Sequence, residues 1–157
     1  MRLLVALALA LGLVAAAPAA RSLMAPPLAG RDVISGKKIS LDDYDGRVVV
    51  VNVWGSWCGG CIQEARDLGA FIQEHPRLAV LGIDSEDTKA GARAFYRRYG
   101  YHHPSIFDPQ GTLAHRLGLT GLPTTLFLDR QHRIVATIVG AGTVSGFDGA
   151  LKVALGG

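Results

Sequence analysis

Cys58 and Cys61 are the only two thiols in the chain, and they stand three residues apart in Trp57-Cys58-Gly59-Gly60-Cys61. A permanent bridge across so short a loop would stabilise little, because loop closure removes little entropy from the unfolded chain. The spacing points instead to a bond that forms and breaks, which is thiol–disulfide exchange. A zinc or copper site would need further soft or imidazole ligands. No third cysteine exists, and His102, His103 and His115 would have to complete the set. That ligand count argues against a metal, and the chemistry calls for no cofactor.

Exchange requires one sulfur to be a thiolate, so the elements around the pair matter. Val48 to Val51, with Val53 and Trp54, form a β-branched run of the kind expected for a central strand buried on both faces. From Gly59 to His75 the apolar residues Ile62, Ala65, Leu68, Phe71 and Ile72 follow a helical period, which ends before Pro76. Cys58 therefore falls where a buried strand meets the first turn of a helix. Free backbone N–H groups and the helix dipole stabilise an anion there, and should lower its pKa below the ordinary ~8.5. Cys58 is accordingly assigned as nucleophile. Cys61, one turn later on the same side, is the resolving thiol that attacks the mixed disulfide.

The remaining elements read as an alternation. Lys37 to Leu41 looks like a short edge strand, followed by a turn-rich Asp42-Asp43-Tyr44-Asp45-Gly46. Leu78 to Ile83 is a second parallel strand, Lys89 to Tyr99 a helix, Ser105 to Phe107 a short extended piece and Leu113 to Leu117 a helical turn. Thr124 to Leu128 and Ile134 to Val139 form a hairpin around Asp129 to Arg133, and Val144 to Leu155 is a closing helix. The order is that of an α/β fold with a central mixed β-sheet flanked by helices on both faces.

A length of 157 residues suits one domain, and nearly half the residues are apolar, which places the chain among globular proteins. The formal charge of +3 is spread along the chain. Arg93, Arg97 and Arg98 lie in a predicted helix as a solvated face, and no basic tract with interleaved aromatics occurs, so no nucleic-acid partner is expected. At the N-terminus Arg2 precedes an apolar run from Leu3 to Ala17, then Ala17-Pro18-Ala19-Ala20. Residues 1–20 thus read as a signal peptide, cleaved after Ala19, or as a retained membrane anchor. Either sends the rest outside the cytoplasm. Residues 21–27 are assigned to a linker, and the domain to 28–157.

Three motifs together carry a family likeness: Val50-Val51-Asn52-Val53-Trp54-Gly55-Ser56-Trp57-Cys58-x-x-Cys61-x-x-Glu64, Gly121-Leu122-Pro123-Thr124-Thr125, and Phe127-Leu128-Asp129-Arg130. From about Leu28 to Leu155 the chain resembles the TlpA-like branch of the thioredoxin superfamily, also called ResA-like or DsbE-like. The resemblance implies a thioredoxin-like fold and a cis peptide before Pro123, in a loop facing the cysteines. Backbone groups of Leu122, with Trp57 and Thr124, would then meet a peptide substrate. Thioredoxin itself carries a buried Asp on the strand before its cysteines. Here Asn52 stands in that place and cannot exchange a proton, and Glu64 matches the acidic residue that the TlpA-like branch places near the pair. A partly buried Glu64 could pass a proton to the resolving sulfur; an exposed Glu in the first turn, favoured by the helix dipole, is the alternative. Trp54 is read either as rim or as core, and Gly59-Gly60 departs from the proline-containing dipeptides common in the family.

The resulting expectation is a monomeric, extracytoplasmic enzyme that reduces protein disulfides, apocytochrome c among them, with electrons from a membrane thiol-disulfide donor. A disulfide-donating oxidase shares the motif and the fold, and differs only in potential. A copper- or haem-handling protein using the pair as soft ligands is the reading from another class. A peroxidase would need a lone cysteine backed by Thr and Arg, an arrangement that the chain lacks.

Overall fold

A computed structural model describes residues Leu23–Gly156, so the signal or anchor reading of residues 1–20 lies outside the described residues. The β-branched run forms strand β4, Val49–Trp54, with all six residues buried. Around it, in chain order, are strands β1 (Leu23–Met24), β2 (Ala29–Arg31) and β3 (Lys38–Ser40) before it. After it come helix α1 (Gly59–Glu74), β5 (Ala79–Ser85), α2 (Lys89–Tyr99), β6 (Ser105–Asp108), the short α3 (Thr112–Arg116), β7 (Thr124–Leu128), β8 (Arg133–Val139) and α4 (Val144–Leu155).

Six strands make one mixed sheet in the order β1-β8-β7-β4-β5-β6. The strands β4, β5 and β6 run parallel, whereas β7 is antiparallel to β4, and β8 to β7. A parallel neighbour needs a crossover, and α1 and α2 supply two that step the same way across the sheet. Both helices pack on one face, where Ala65, Leu68 and Phe71 of α1 and Ala92, Phe95 and Tyr96 of α2 join Val50, Trp54 and Phe127 in one apolar cluster. Phe147 and Leu151 of α4 complete it. On the opposite face Val49, Val51, Val53, Leu81 and Ile83 pack against Leu113 of α3, Leu28 and Leu41. A strand with apolar side chains pointing both ways is thus covered on both sides, which is why β4 lacks the polar alternation of a half-exposed strand.

Two boundaries differ from the sequence reading. Within the stretch 21–27, assigned to a linker, Leu23–Met24 already pair with the sheet: Leu23 lies opposite Ile134 and Met24 opposite Arg133. Pairing needs only backbone N–H and C=O groups, so the composition of this segment gave no sign of it. The predicted strand around Ile39 forms, but in a separate two-stranded ribbon with β2, whose pairing runs from Ala29–Ser40 to Arg31–Lys38. Gly30 in that ribbon leaves no apolar alternation to read. The helix boundaries agree within a residue or two.

Candidate active site

Cys58 is the N-cap of α1, in extended conformation, and its Sγ accepts the Cys61 N–H at 3.1 Å. This is the capping geometry in which an anionic sulfur meets free N–H donors. Cys58 and Cys61 are joined as a disulfide, with Cα atoms 5.2 Å apart. Cys61 is 2% exposed and Cys58 5%. Both residues are thus buried, and Cys58, assigned to attack an incoming disulfide, is the slightly more exposed of the two.

The Leu122–Pro123 peptide is cis. Its loop lies directly against the pair, since a Cβ placed on Gly60 would sit 2.9 Å from Pro123 Cδ and 3.7 Å from the Leu122 carbonyl oxygen. Gly60 thus lets the loop approach the turn between the two cysteines, which explains a glycine at that position. Leu122 is half-buried at the same place, beside both apolar clusters. Thr124, in contrast, is buried, and its hydroxyl donates to the Gly121 carbonyl at 2.8 Å. That side chain shapes the loop from within rather than facing outward.

The two tryptophans separate cleanly. Trp54 is core: its ring lies 4.6 Å from Phe95, and its Nε1 donates to Ser105 Oγ at 3.0 Å. Trp57 is 56% exposed and forms the rim beside Cys58, its indole N–H donating to the Ser85 carbonyl at 3.3 Å.

Glu64 is buried at 2% exposure, which excludes the exposed first-turn alternative. Its Oε1 accepts the Asn52 amide at 3.0 Å, and its Oε2 accepts the Gly142 N–H at 2.9 Å. The same Asn52 amide nitrogen donates to Thr125 Oγ1 at 3.0 Å. Burial raises the Glu64 pKa above the usual carboxylate range; the Gly142 and Asn52 donors offset part of this, and the Asp67 charge adds to it. Asn52 cannot itself move a proton, and its amide holds the buried Glu64 carboxyl in place. Its partnership with Glu64 follows from packing: Asn52 of β4 meets Glu64 of α1, which packs on the sheet, and no spacing rule would have revealed Gly142 as the third member.

The AhpC/TSA family model matches residues 22–137, which include Cys58, Cys61, Glu64 and the Pro123 loop. The chain belongs to the AhpC/TSA family. Within it the chain is 28% identical over 121 residues to the thiol-disulfide oxidoreductase ResA of Bacillus thuringiensis (strain Al Hakam), a match covering 76% of this chain and 70% of that one. Among solved structures, a DsbF homologue from Corynebacterium diphtheriae superposes with a TM-score of 0.77 at 31% identity, covering 84% of this chain and 87% of the other. A secreted thiol-disulfide isomerase from Corynebacterium glutamicum gives 0.72 at 35% identity, with 83% and 82% covered. These relatives bear out the ResA-like resemblance and the thioredoxin-like fold. This AhpC/TSA member is a thiol-disulfide oxidoreductase with its cysteine pair at the head of α1.

Proposed function

We propose that this oxidoreductase reduces disulfide bonds of proteins outside the cytoplasm, cycling between the Cys58–Cys61 disulfide and the dithiol. The observation that carries the reading is the disulfide at the N-terminus of α1, with the Pro123 loop packed on the turn between its sulfurs. In the dithiol form the Cys58 thiolate attacks one sulfur of a substrate disulfide. A mixed disulfide forms, and the first substrate thiolate leaves and takes up a proton. Cys61 then loses its proton, with Glu64 as the acceptor, and attacks the Cys58 sulfur. The second substrate thiolate departs, the enzyme is left oxidised, and two electrons have passed to the substrate. A membrane thiol-disulfide donor restores the dithiol.

The backbone of Leu122 and the rim made by Trp57 and Leu122 would receive an extended segment of the substrate protein, while Thr124 and Pro123 fix the loop that offers it. Apocytochrome c is one such substrate, given the ResA-like relationship. Secretion of a related protein with 35% identity supports an extracytoplasmic site of action, as does the apolar N-terminal run. The test is turnover of insulin disulfides with dithiothreitol as the electron source, followed as precipitation of the reduced chains. Wild-type protein should accelerate the reaction and Cys58→Ser should not. Equal rates for both would refute the reading.

A further inference from the structure

The turn that carries Trp57 and Cys58 is tied down at one place. Ser56 donates its N–H to Asp87 Oδ2 at 2.5 Å and its hydroxyl to Asp87 Oδ1 at 2.9 Å, while Thr88 N–H reaches Asp87 Oδ1 at 2.6 Å. One carboxylate thus accepts three hydrogen bonds, two of them from the residue two positions before the nucleophile. The chain bends sharply to deliver it: Glu86, just before Asp87, has a left-handed φ of 52°, and its N–H is held by the Asp108 carbonyl at 3.0 Å. The first turn of α2 closes over the contact, where a Cβ on Gly91 would come 2.7 Å from Asp87 Oδ1.

Behind Asp87 lies a group that the exchange chemistry leaves unused. Asp84, opposite Trp54 in the sheet, is fully buried, and neither of its oxygens has a hydrogen-bond partner among the described residues. A buried carboxyl without donors is costly unless it holds its proton. Its neighbours cannot relieve it by charge: Asp87 faces it from the loop before α2, Asp108 from β6 and the Tyr96 phenol from α2. Lys89, on the first turn of α2, rests over the Phe107 ring at 5.3 Å. Protonated, Asp84 puts no charge beside the Asp87 carboxylate. Ionised, it sets a second negative charge beside the first.

We infer that Asp87 is a positioning residue for disulfide exchange: backed by a protonated Asp84, its carboxylate pins Ser56 and so fixes where Trp57 and Cys58 meet the substrate. The inference rests on the proposed reduction of protein disulfides. Burial first, then the charge of Asp87, pushes the Asp84 pKa up to about 8, so the pin loosens as pH rises through that value.

Two measurements on the full-length protein test this. In the oxidised protein neither cysteine titrates, and tryptophan fluorescence should show an inflection near pH 8, reported by Trp54 beside Asp84, which Asp84→Asn abolishes. In insulin turnover, Asp87→Asn should raise KM about tenfold with kcat changed less than about twofold, because its amide offers one acceptor oxygen where the carboxylate uses two, and its NH2 group must then face one of the Ser56 or Thr88 donors. The wild-type KM should also rise between about pH 7 and pH 9 and that of Asp84→Asn should not. Circular dichroism confirms that each variant is folded. Wild-type turnover with an unchanged KM for folded Asp87→Asn overturns the positioning role alone. Absence of the inflection, or its survival in Asp84→Asn, overturns the part given to Asp84. A wild-type protein that does not turn over insulin overturns the functional reading itself, and this inference with it.

Discussion

Cys58 and Cys61 share one bond but not one environment, and the difference divides the labour between them. Cys58 caps the helix, whereas Cys61 lies within its first turn and is the more deeply buried of the two. Cys61→Ser should therefore still attack a substrate but fail to release it, so that non-reducing electrophoresis shows a stable mixed disulfide; Cys58→Ser should trap nothing. Glu64 has a raised pKa because it is buried. It is therefore ionised, and able to take a proton, only above the usual carboxylate range. Glu64→Gln should slow release of the mixed disulfide by about tenfold or more near neutral pH, within the range general base catalysis supplies. The variant should also lose the part of the pH–rate profile that rises through the Glu64 pKa, as stopped-flow tryptophan fluorescence would record. A profile unchanged by Glu64→Gln would confine Glu64 to a structural tie between α1 and Gly142.

The elements matter because a site made of two loops is only as good as their mutual approach. The strand β4 delivers the cysteine turn and the antiparallel β7 delivers the Pro123 loop, paired so that Val53 lies opposite Thr124 at the site end. Gly60 is where the two meet, so Gly60→Ala forces a methyl toward Pro123 Cδ. Overpacking of this kind costs about 1–3 kcal/mol, and we expect a Tm lowered by several degrees, measured by calorimetry on the oxidised protein; an unchanged Tm would mean that the loop yields freely. Much of this arrangement was legible in the sequence. The valine run announced β4, the period from Ile62 to Phe71 announced α1, and Cys58 fell at their junction without knowledge of the fold. The β2–β3 ribbon and the pairing of Leu23–Met24 were not legible, because short backbone pairings leave no pattern of side chains. The burial of Glu64 was legible only as one of two alternatives, since packing against Asn52 and the distant Gly142 decides it. Asp84 and Asp87 carried no motif, and their importance is set by what the sheet places around them.

Across the whole molecule, two apolar clusters on opposite faces of one sheet enclose β4, and buried carboxyls within this frame tie stability to pH. Asp84 binds its proton more tightly folded than unfolded. Its contribution is therefore fully present below the unfolded carboxyl pKa near 4 and is lost as pH rises through about 8. Asp84→Asn should escape that loss: relative to wild type its Tm should be higher at pH 8 than at pH 5 by about 4 °C or more, a shift that corresponds to about 1 kcal/mol for a domain of this size. An equal difference at the two pH values would contradict a raised pKa for Asp84. At the same scale lies the direction of electron flow, which sets what the oxidoreductase does for its partners. The Cys58–Cys61 reduction potential, measured by equilibration with glutathione or dithiothreitol and with Cys58→Ser as control, tests the reductive role most directly. The account predicts a value near or below the roughly −270 mV of thioredoxin, at which the dithiol readily gives up its electrons. A value near the roughly −120 mV of the strong oxidant DsbA would contradict it and make disulfide donation the activity.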